Sequence, residues 1–284
     1  MNSYIDGVIV RIISNLYTVK CDNVFVDCQA RGKFRNMGLT PLVGDRVKVD
    51  IDNKYIIDIY SRRNELLRPR VANVDVCLIV TSLKHPDFSS LLLDKMLTNI
   101  ILSDIEPIIV FSKYDLLTEE ERKEFDNIIN YYKSVGYKAI LNTEYSCLFE
   151  YLKGKTVTLT GQTGAGKSTF INKLDPTLNL KTDDISEALG RGKHTTRHVE
   201  LFEINDIYFI DTPGFSALDI HVPKENIKFA FKEFKNDECK FRDCKHINEI
   251  GCKVLEDVEN KVILESRYEN YKKMVMEWKY RFPF

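Results

Sequence analysis

The chain has 284 residues, 44% of them hydrophobic and 29% charged, a composition that excludes a mainly disordered protein and leaves room for one large domain or two to three small ones. Its net charge of -1 hides an uneven split: residues 1–70 carry 12 basic against 8 acidic side chains (+4), 71–223 carry 15 against 22 (-7), and 224–284 carry 14 against 12 (+2). A polyanion would be gripped by the basic flanks sooner than by the acidic middle, yet charges this small fall short of a dedicated nucleic-acid-binding domain.

Met1–Val10 has neither the basic start nor the apolar run of a signal peptide. No apolar stretch approaches the ~18 residues of a membrane helix. A cytoplasmic protein without a membrane partner is expected. Of the seven cysteines, Cys239, Cys244 and Cys252 cluster with a histidine while Cys21, Cys28, Cys77 and Cys147 are scattered, a pattern that fits a reducing compartment and a metal.

In chain order, residues 1–62 read as short alternating runs (Gly7–Val10, Tyr17–Val19, Val24–Val26, Asp45–Val49, Tyr55–Tyr60) parted by Asn, Asp and Gly turns, which predicts a small β-barrel. Gln29–Arg35 interleaves basic side chains with an aromatic, as an oligonucleotide-binding barrel would, although for so short a segment taken alone a solvated basic hairpin is the better account. From Val71 the texture becomes apolar strands alternating with helices (Val74–Thr81, Leu91–Leu102, Pro107–Ser112, Glu119–Val135, Thr156–Thr160, then Ser168 onward), which predicts a parallel sheet covered by helices. Past Pro223 the pattern is mostly helical.

Gly161-Gln162-Thr163-Gly164-Ala165-Gly166-Lys167-Ser168-Thr169 matches the phosphate-loop pattern in full, between a strand and a helix. Its glycines let backbone N–H groups curl around phosphates, Lys167 reaches the β and γ phosphates, and the Ser168 hydroxyl is placed for Mg²⁺. Asp211-Thr-Pro-Gly214 follows the apolar strand Ile207–Ile210, where Asp211 can hold a Mg²⁺ water and the Gly214 N–H can sense the γ phosphate. Ser112-Lys113-Tyr114-Asp115 follows the strand Ile108–Phe111 and resembles the guanine-recognition motif of GTPases. Guanine offers N1–H and N2–H₂ side by side to one carboxylate, here Asp115, whereas adenine would turn a lone pair towards it. Lys113 can lay its stem along the base. Ser112 stands where the motif usually has Asn and lacks the amide that steadies neighbouring loops. A second guanine loop falls in Leu141–Ser146.

Ordinary GTPases meet the phosphate loop first and the guanine motif last; here the order is reversed, so the G domain is circularly permuted, which a fold tolerates when its original ends lie close together. Cys239-x₄-Cys244-x-His246-x₅-Cys252 then offers three thiolates and an imidazole within 14 residues, a complete set for one structural Zn²⁺ per chain.

Barrel, permuted G domain and Cys/Cys/His/Cys module in this order closely resemble the bacterial RsgA family of small-ribosomal-subunit-dependent GTPases, also called YloQ or EngC, over essentially the whole chain. Further matches are Val43-Gly-Asp-Arg-Val47, Arg62-Arg-Asn-Glu-Leu-Leu-Arg-Pro69 leading into Ala72-Asn-Val-Asp75, Arg191-Gly-Lys-His-Thr-Thr196 and Arg267-Tyr-x-x-Tyr271. The resemblance implies an OB-fold barrel at 1–62, a permuted G domain at 63–223 and a zinc-binding helical domain at 224–284. It also implies GTP hydrolysis stimulated by the 30S subunit in late 30S maturation, with 16S rRNA and GTP/GDP as partners of a monomer. Phe215 stands where Ras-type GTPases keep a water-positioning Gln. The resemblance assigns that role to His194, with Thr195 or Thr196 closing on Mg²⁺. The alternative is a nucleotide-gated rRNA-binding module with negligible turnover.

Overall fold

The alternating N-terminal runs close into a five-stranded barrel. In this computed structural model, which describes residues 4–67, 70–176, 199–211 and 223–278, β1 (Tyr4–Ile13), β2 (Leu16–Cys21) and β3 (Val24–Ala30) form an antiparallel meander. A one-turn helix, α1 (Lys33–Asn36), leads towards β4 (Arg46–Asp50) and β5 (Tyr55–Ile59). β3 pairs parallel with β5, β5 antiparallel with β4, and β4 returns to β1. Closure of this kind removes the exposed edges that an open sheet would carry. A register shift between Ile9 and Arg11 bends β1 so that one strand serves both β2 and β4. Ile9, Val19, Val47, Val49 and Ile56 fill the interior and are fully buried.

The chain continues through β6 (Glu65–Leu67), β7 (Arg70–Ala72), β8 (Val76–Ser82), α2 (Ser90–Ile101), β9 (Glu106–Ser112), α3 (Glu119–Ser134), β10 (Lys138–Leu141), α4 (Tyr145–Leu152), β11 (Thr156–Thr160), α5 (Lys167–Leu174), β12 (Glu200–Ile204) and β13 (Ile207–Asp211). After two short 3₁₀ turns come α6 (Lys253–Glu259) and α7 (Glu265–Met276). These elements gather into two compact units, one of residues 1–77, 146–159 and 167–215, the other of residues 78–145, 160–166 and 216–284. Among the described residues no helix is long and apolar enough to cross a membrane.

In the first unit the sheet runs β11-β13-β12-β1 and on into the barrel. β11 and β13 are parallel, and β12 folds back on β13 through Asn205 and Asp206, both with left-handed backbone, as a tight two-residue hairpin requires. Lys20 of β2 meets Glu203 of β12 at 2.8 Å. The barrel is also tied to the segment that leaves it. Asp45 is fully buried, accepts the Leu42 N–H at 2.7 Å, and is gripped by Arg62 through Nε and Nη2 at 2.7 and 2.8 Å.

In the second unit the sheet order is β10-β9-β8, with β9 and β10 parallel. Every residue of β8 is buried, so the strand reads as a continuous apolar run, as one covered on both faces does. α2 begins at a Ser89 cap and α3 at a Thr118/Glu121 capping box, both sequence signals of a helix start. The C-terminal segment packs its own core of Ile227, Phe231, Phe234, Val254, Ile263 and Met274.

Leu91, Ile101 and Leu102 of α2 and its end pack against that core, and a buried ionic network joins the two as well. Arg267 of α7 is buried and donates to Asp94 of α2, to Glu233 through Nε and Nη2 at 2.7 and 3.0 Å, and to Tyr137 Oη at 3.1 Å. Its guanidinium also lies 4.5 Å from the Phe231 ring centre. Asp94 in turn accepts from Tyr132 Oη and Asn270 Nδ2, each at 2.7 Å. Burial raises the Asp94 carboxyl above its ordinary value, and Arg267, Asn270 and Tyr132 oppose that rise. Removing one partner of such a network leaves an uncompensated buried charge. Arg267→Met should therefore destabilise the protein by about 3–5 kcal/mol in urea denaturation; a loss below ~1 kcal/mol would show the network to be dispensable.

Candidate nucleotide site and metal centre

The phosphate-loop sequence folds as its glycines demand. Gly161 takes φ +141°, and a Cβ there would stand 2.0 Å from the Val80 carbonyl oxygen, so no other residue fits. Gly164 and Gly166 are also left-handed, and the Ala165 N–H between them closes a turn on the Gln162 carbonyl at 3.1 Å. The chain enters α5 at Lys167, and Ser168 lies in its first turn. Phe170 anchors that helix, fully buried with its ring centre 5.5 Å from that of Phe149. The helix start adds partial positive charge at the loop.

The guanine-type motif begins where β9 ends. Ser112 is buried, and its Oγ donates to the Ala165 carbonyl of the phosphate loop at 2.5 Å, with the Thr81 carbonyl 3.3 Å away. The hydroxyl thus makes the loop-to-loop tie whose loss the Asn-to-Ser departure suggested. Lys113 has left-handed backbone, and its ammonium rests on the His85 carbonyl. Tyr114 turns away, donating to Asp126 of α3 at 2.9 Å beneath the Arg122 guanidinium. Asp115 is exposed. Beside them the Asn142 N–H donates to the Phe111 carbonyl at 2.9 Å, so the Leu141–Ser146 loop starts next to the end of β9.

β13 carries Asp211 to the edge where the parallel strand β11 also ends. The Asp211 side chain, Gly214, His194, Thr195 and Thr196 lie outside the described residues.

The four predicted metal ligands come together. Ligand atoms of Cys239, Cys244, His246 and Cys252 all lie within 4.8 Å of one another, with His246 Nδ1 3.6 Å from Cys239 Sγ and 3.3 Å from Cys252 Sγ. The other imidazole nitrogen, Nε2, meets Asn236 Oδ1 at 2.7 Å, which fixes Nδ1 as the free lone pair. Burial, with Lys228 acting in the same direction, lowers His246 to about 4, so the ring is neutral and fit to ligate. Burial also pushes the Cys252 thiol up to about 12 and raises Cys244. Buried sulfurs such as these two become stable thiolates only around a cation. The donor set therefore fits a soft dication with a closed tetrahedral shell. The ligand loop hangs from α7: Tyr268 Oη donates to the His246 carbonyl at 2.8 Å and Tyr271 Oη to the Lys245 carbonyl at 2.6 Å.

Comparison with known proteins agrees with this arrangement. Residues 59–221 match the RsgA GTPase family model and residues 6–56 the RsgA N-terminal domain model. A Listeria monocytogenes relative named "Small ribosomal subunit biogenesis GTPase RsgA 1" is 42% identical over 288 residues, covering 98% of this chain and 99% of its own. The crystal structure of YjeQ from Thermotoga maritima superposes with a TM-score of 0.83 at 35% identity, covering 97% of this chain and 98% of that one. That of YloQ, described as a circularly permuted GTPase, gives 0.80 at 31%, covering 99% and 98%.

The chain belongs to the RsgA family of GTPases. Among the described residues, three of the further RsgA-like segments act as fasteners: Asp45 and Arg62 form the ion pair at the barrel exit, and Arg267, Tyr268 and Tyr271 tie α2 to the ligand loop, while Arg191–Thr196 lies outside the described residues. Asn236, the partner of His246, carried no signal in the sequence, because its role depends on a contact across 10 residues of irregular chain. Purified in reducing buffer, the protein should hold one metal ion per chain, and Cys244→Ser should lower both metal content and unfolding temperature while nucleotide binding persists. Elemental analysis that finds no metal would refute the centre.

Proposed function

We propose that the protein is a GTPase of small-subunit maturation, whose hydrolysis of GTP is stimulated by the 30S subunit and releases it from that particle. The observation that carries the nucleotide half is the Ser112–Ala165 hydrogen bond, which holds a base-reading loop against a phosphate loop although the two are 53 residues apart in the chain. The name of the Listeria relative supports the ribosomal half.

In this reading Asp115 accepts the two guanine hydrogen bonds, the Lys113 stem covers the base, and residues 112–115 form the base loop. Gly161–Thr169 cradles the phosphates, with Lys167 on the β and γ groups. Mg²⁺ bound with GTP neutralises charge on the phosphates. Ser168, Asp211, Thr195 or Thr196 would hold it, and Gly214 would sense the γ phosphate. His194 orients the attacking water in place of the missing Gln. Cys239, Cys244, His246 and Cys252 hold zinc, since three thiolates and one imidazole suit that ion and leave no open position for chemistry. Residues 1–62 serve as the RNA-binding barrel, 63–223 as the G domain and 224–284 as the zinc-binding domain of a cytoplasmic monomer that contacts 16S rRNA.

Hydrolysis by the protein alone should be slow, because Phe215 cannot orient water, and 30S subunits should accelerate it. His194→Ala should abolish the stimulated turnover and keep GTP affinity, because an interaction made only in the transition state is removed. Turnover measured with 30S, with 50S and with neither checks this. A wild type indifferent to 30S would favour the nucleotide-gated binding module, and a mutant stimulated to the wild-type rate would exclude His194.

A further inference from the structure

The segment between β8 and α2 belongs to none of the motifs, yet it touches one of them and lies beside another. The Leu83 N–H donates to the Ser112 carbonyl at 3.1 Å, the Lys113 ammonium rests on the His85 carbonyl, and a Cβ at Gly164 would stand 3.8 Å from Pro86 Cδ. His85 and Lys113 meet with φ of 55° and 61°, a backbone that residues other than glycine hold only where their surroundings impose it.

The segment is fastened at several points. Ser82 Oγ donates to the Lys84 carbonyl at 2.8 Å and accepts the Lys84 N–H at 3.3 Å. Lys84 Nζ reaches both carboxylate oxygens of Glu121 at 2.9 and 2.8 Å, and Glu121 accepts the Thr118 N–H at the start of α3. The Phe88 ring packs between those of Phe111 and Phe125, with centres at 6.2 and 5.7 Å.

A lysine stem covers a base well only if both its ends are fixed; a free ammonium seeks water and takes the methylenes with it. Here the backbone end is set by the left-handed turn and the charged end by a carbonyl. Resting on the reading of Ser112–Asp115 as the guanine loop, we propose that the Ser82–Phe88 loop positions Lys113. The His85 carbonyl, held in place by the Lys84–Glu121 ion pair, takes the ammonium and leaves the stem flat for the guanine base. Lys84 touches no nucleotide; it acts through Lys113, and its contribution is preorganisation of the base site before the ligand arrives.

GDP dissociation constants of the full-length protein test this, measured for wild type, Lys84→Met, Lys113→Met and the double variant. Lys84→Met should weaken GDP binding roughly 2- to 12-fold, the range that one hydrogen bond spans, and Lys84→Arg should restore it. In the Lys113→Met background, Lys84→Met should change nothing, a coupling that a merely structural role would not produce. Glu121→Gln, which removes the same ion pair from the other side, should reproduce the loss and serves as the second route if Lys84→Met folds poorly. A wild type that prefers GDP to ADP, with Lys84→Met without effect or equally harmful in both backgrounds, overturns the inference alone. A wild type that binds GDP and ADP alike overturns the guanine reading and this inference with it.

Discussion

A hydroxyl on one carbonyl, Ser112 Oγ on Ala165 O, is the contact on which the proposed nucleotide site turns. In a chain whose guanine-type motif precedes its phosphate-loop sequence, no short covalent connection keeps the two in register. The register must come from packing and from a bond made across the fold. Ser112 sits at the end of a fully covered strand, so its hydroxyl is desolvated and its bond is short; an unmet carbonyl at that place would cost about 1–3 kcal/mol. The same strand end accepts the Leu83 N–H, and the residue after it sends its ammonium to the His85 carbonyl. The base loop is therefore held from the phosphate side and from the β8–α2 side together.

The C-terminal segment is organised by a different kind of force. Beside an apolar core to which α7 itself gives Tyr268, Tyr271, Met274 and Val275, the helix carries a guanidinium shared among two carboxylates, a phenol and an aromatic face. From the same helix two tyrosines reach the carbonyls of the ligand loop. The four-ligand cluster and this polar network are therefore parts of one construction: a bound ion would order the short ligand loop, and the tyrosines hold that loop to a helix already anchored on α2. Desolvated charges of this sort add little net stability, but they punish any other arrangement, which makes them effective at fixing a single packing.

Sequence made the chemistry legible and left the fastening obscure. Gly161, Lys167, Asp115 and the four metal ligands stand in short patterns whose spacing is dictated by the ligand, and such patterns survive translation into one dimension. The alternating strands of the barrel were readable for the same reason, since a period of two reports a half-buried sheet. Asp94 was not readable: in the run Leu91-Leu-Leu-Asp-Lys-Met it looks like the polar face of an amphipathic helix, and only the arrival of Arg267 from 173 residues away makes burial tolerable. Lys84 and His85 look like ordinary loop residues, because what matters in His85 is its carbonyl, which no side-chain pattern encodes. Tyr114 sits inside the guanine-type motif, yet its ring belongs to α3, so membership of a motif did not fix the direction of a side chain. His194, Thr195, Thr196 and Gly214 lie outside the described residues; the roles of the first three rest on resemblance and that of Gly214 on its motif.

The central claim is that the two separated motifs make one guanine-nucleotide site through Ser112. Calorimetric titration of wild type and Ser112→Ala with GDP and with ADP tests it most directly. The account predicts that wild type prefers GDP, and that Ser112→Ala weakens GDP binding by roughly 0.5–1.5 kcal/mol while the preference for guanine, which belongs to Asp115, remains. Equal affinity for GDP and ADP in the wild type, or a Ser112→Ala variant that binds GDP as tightly as wild type, would contradict it.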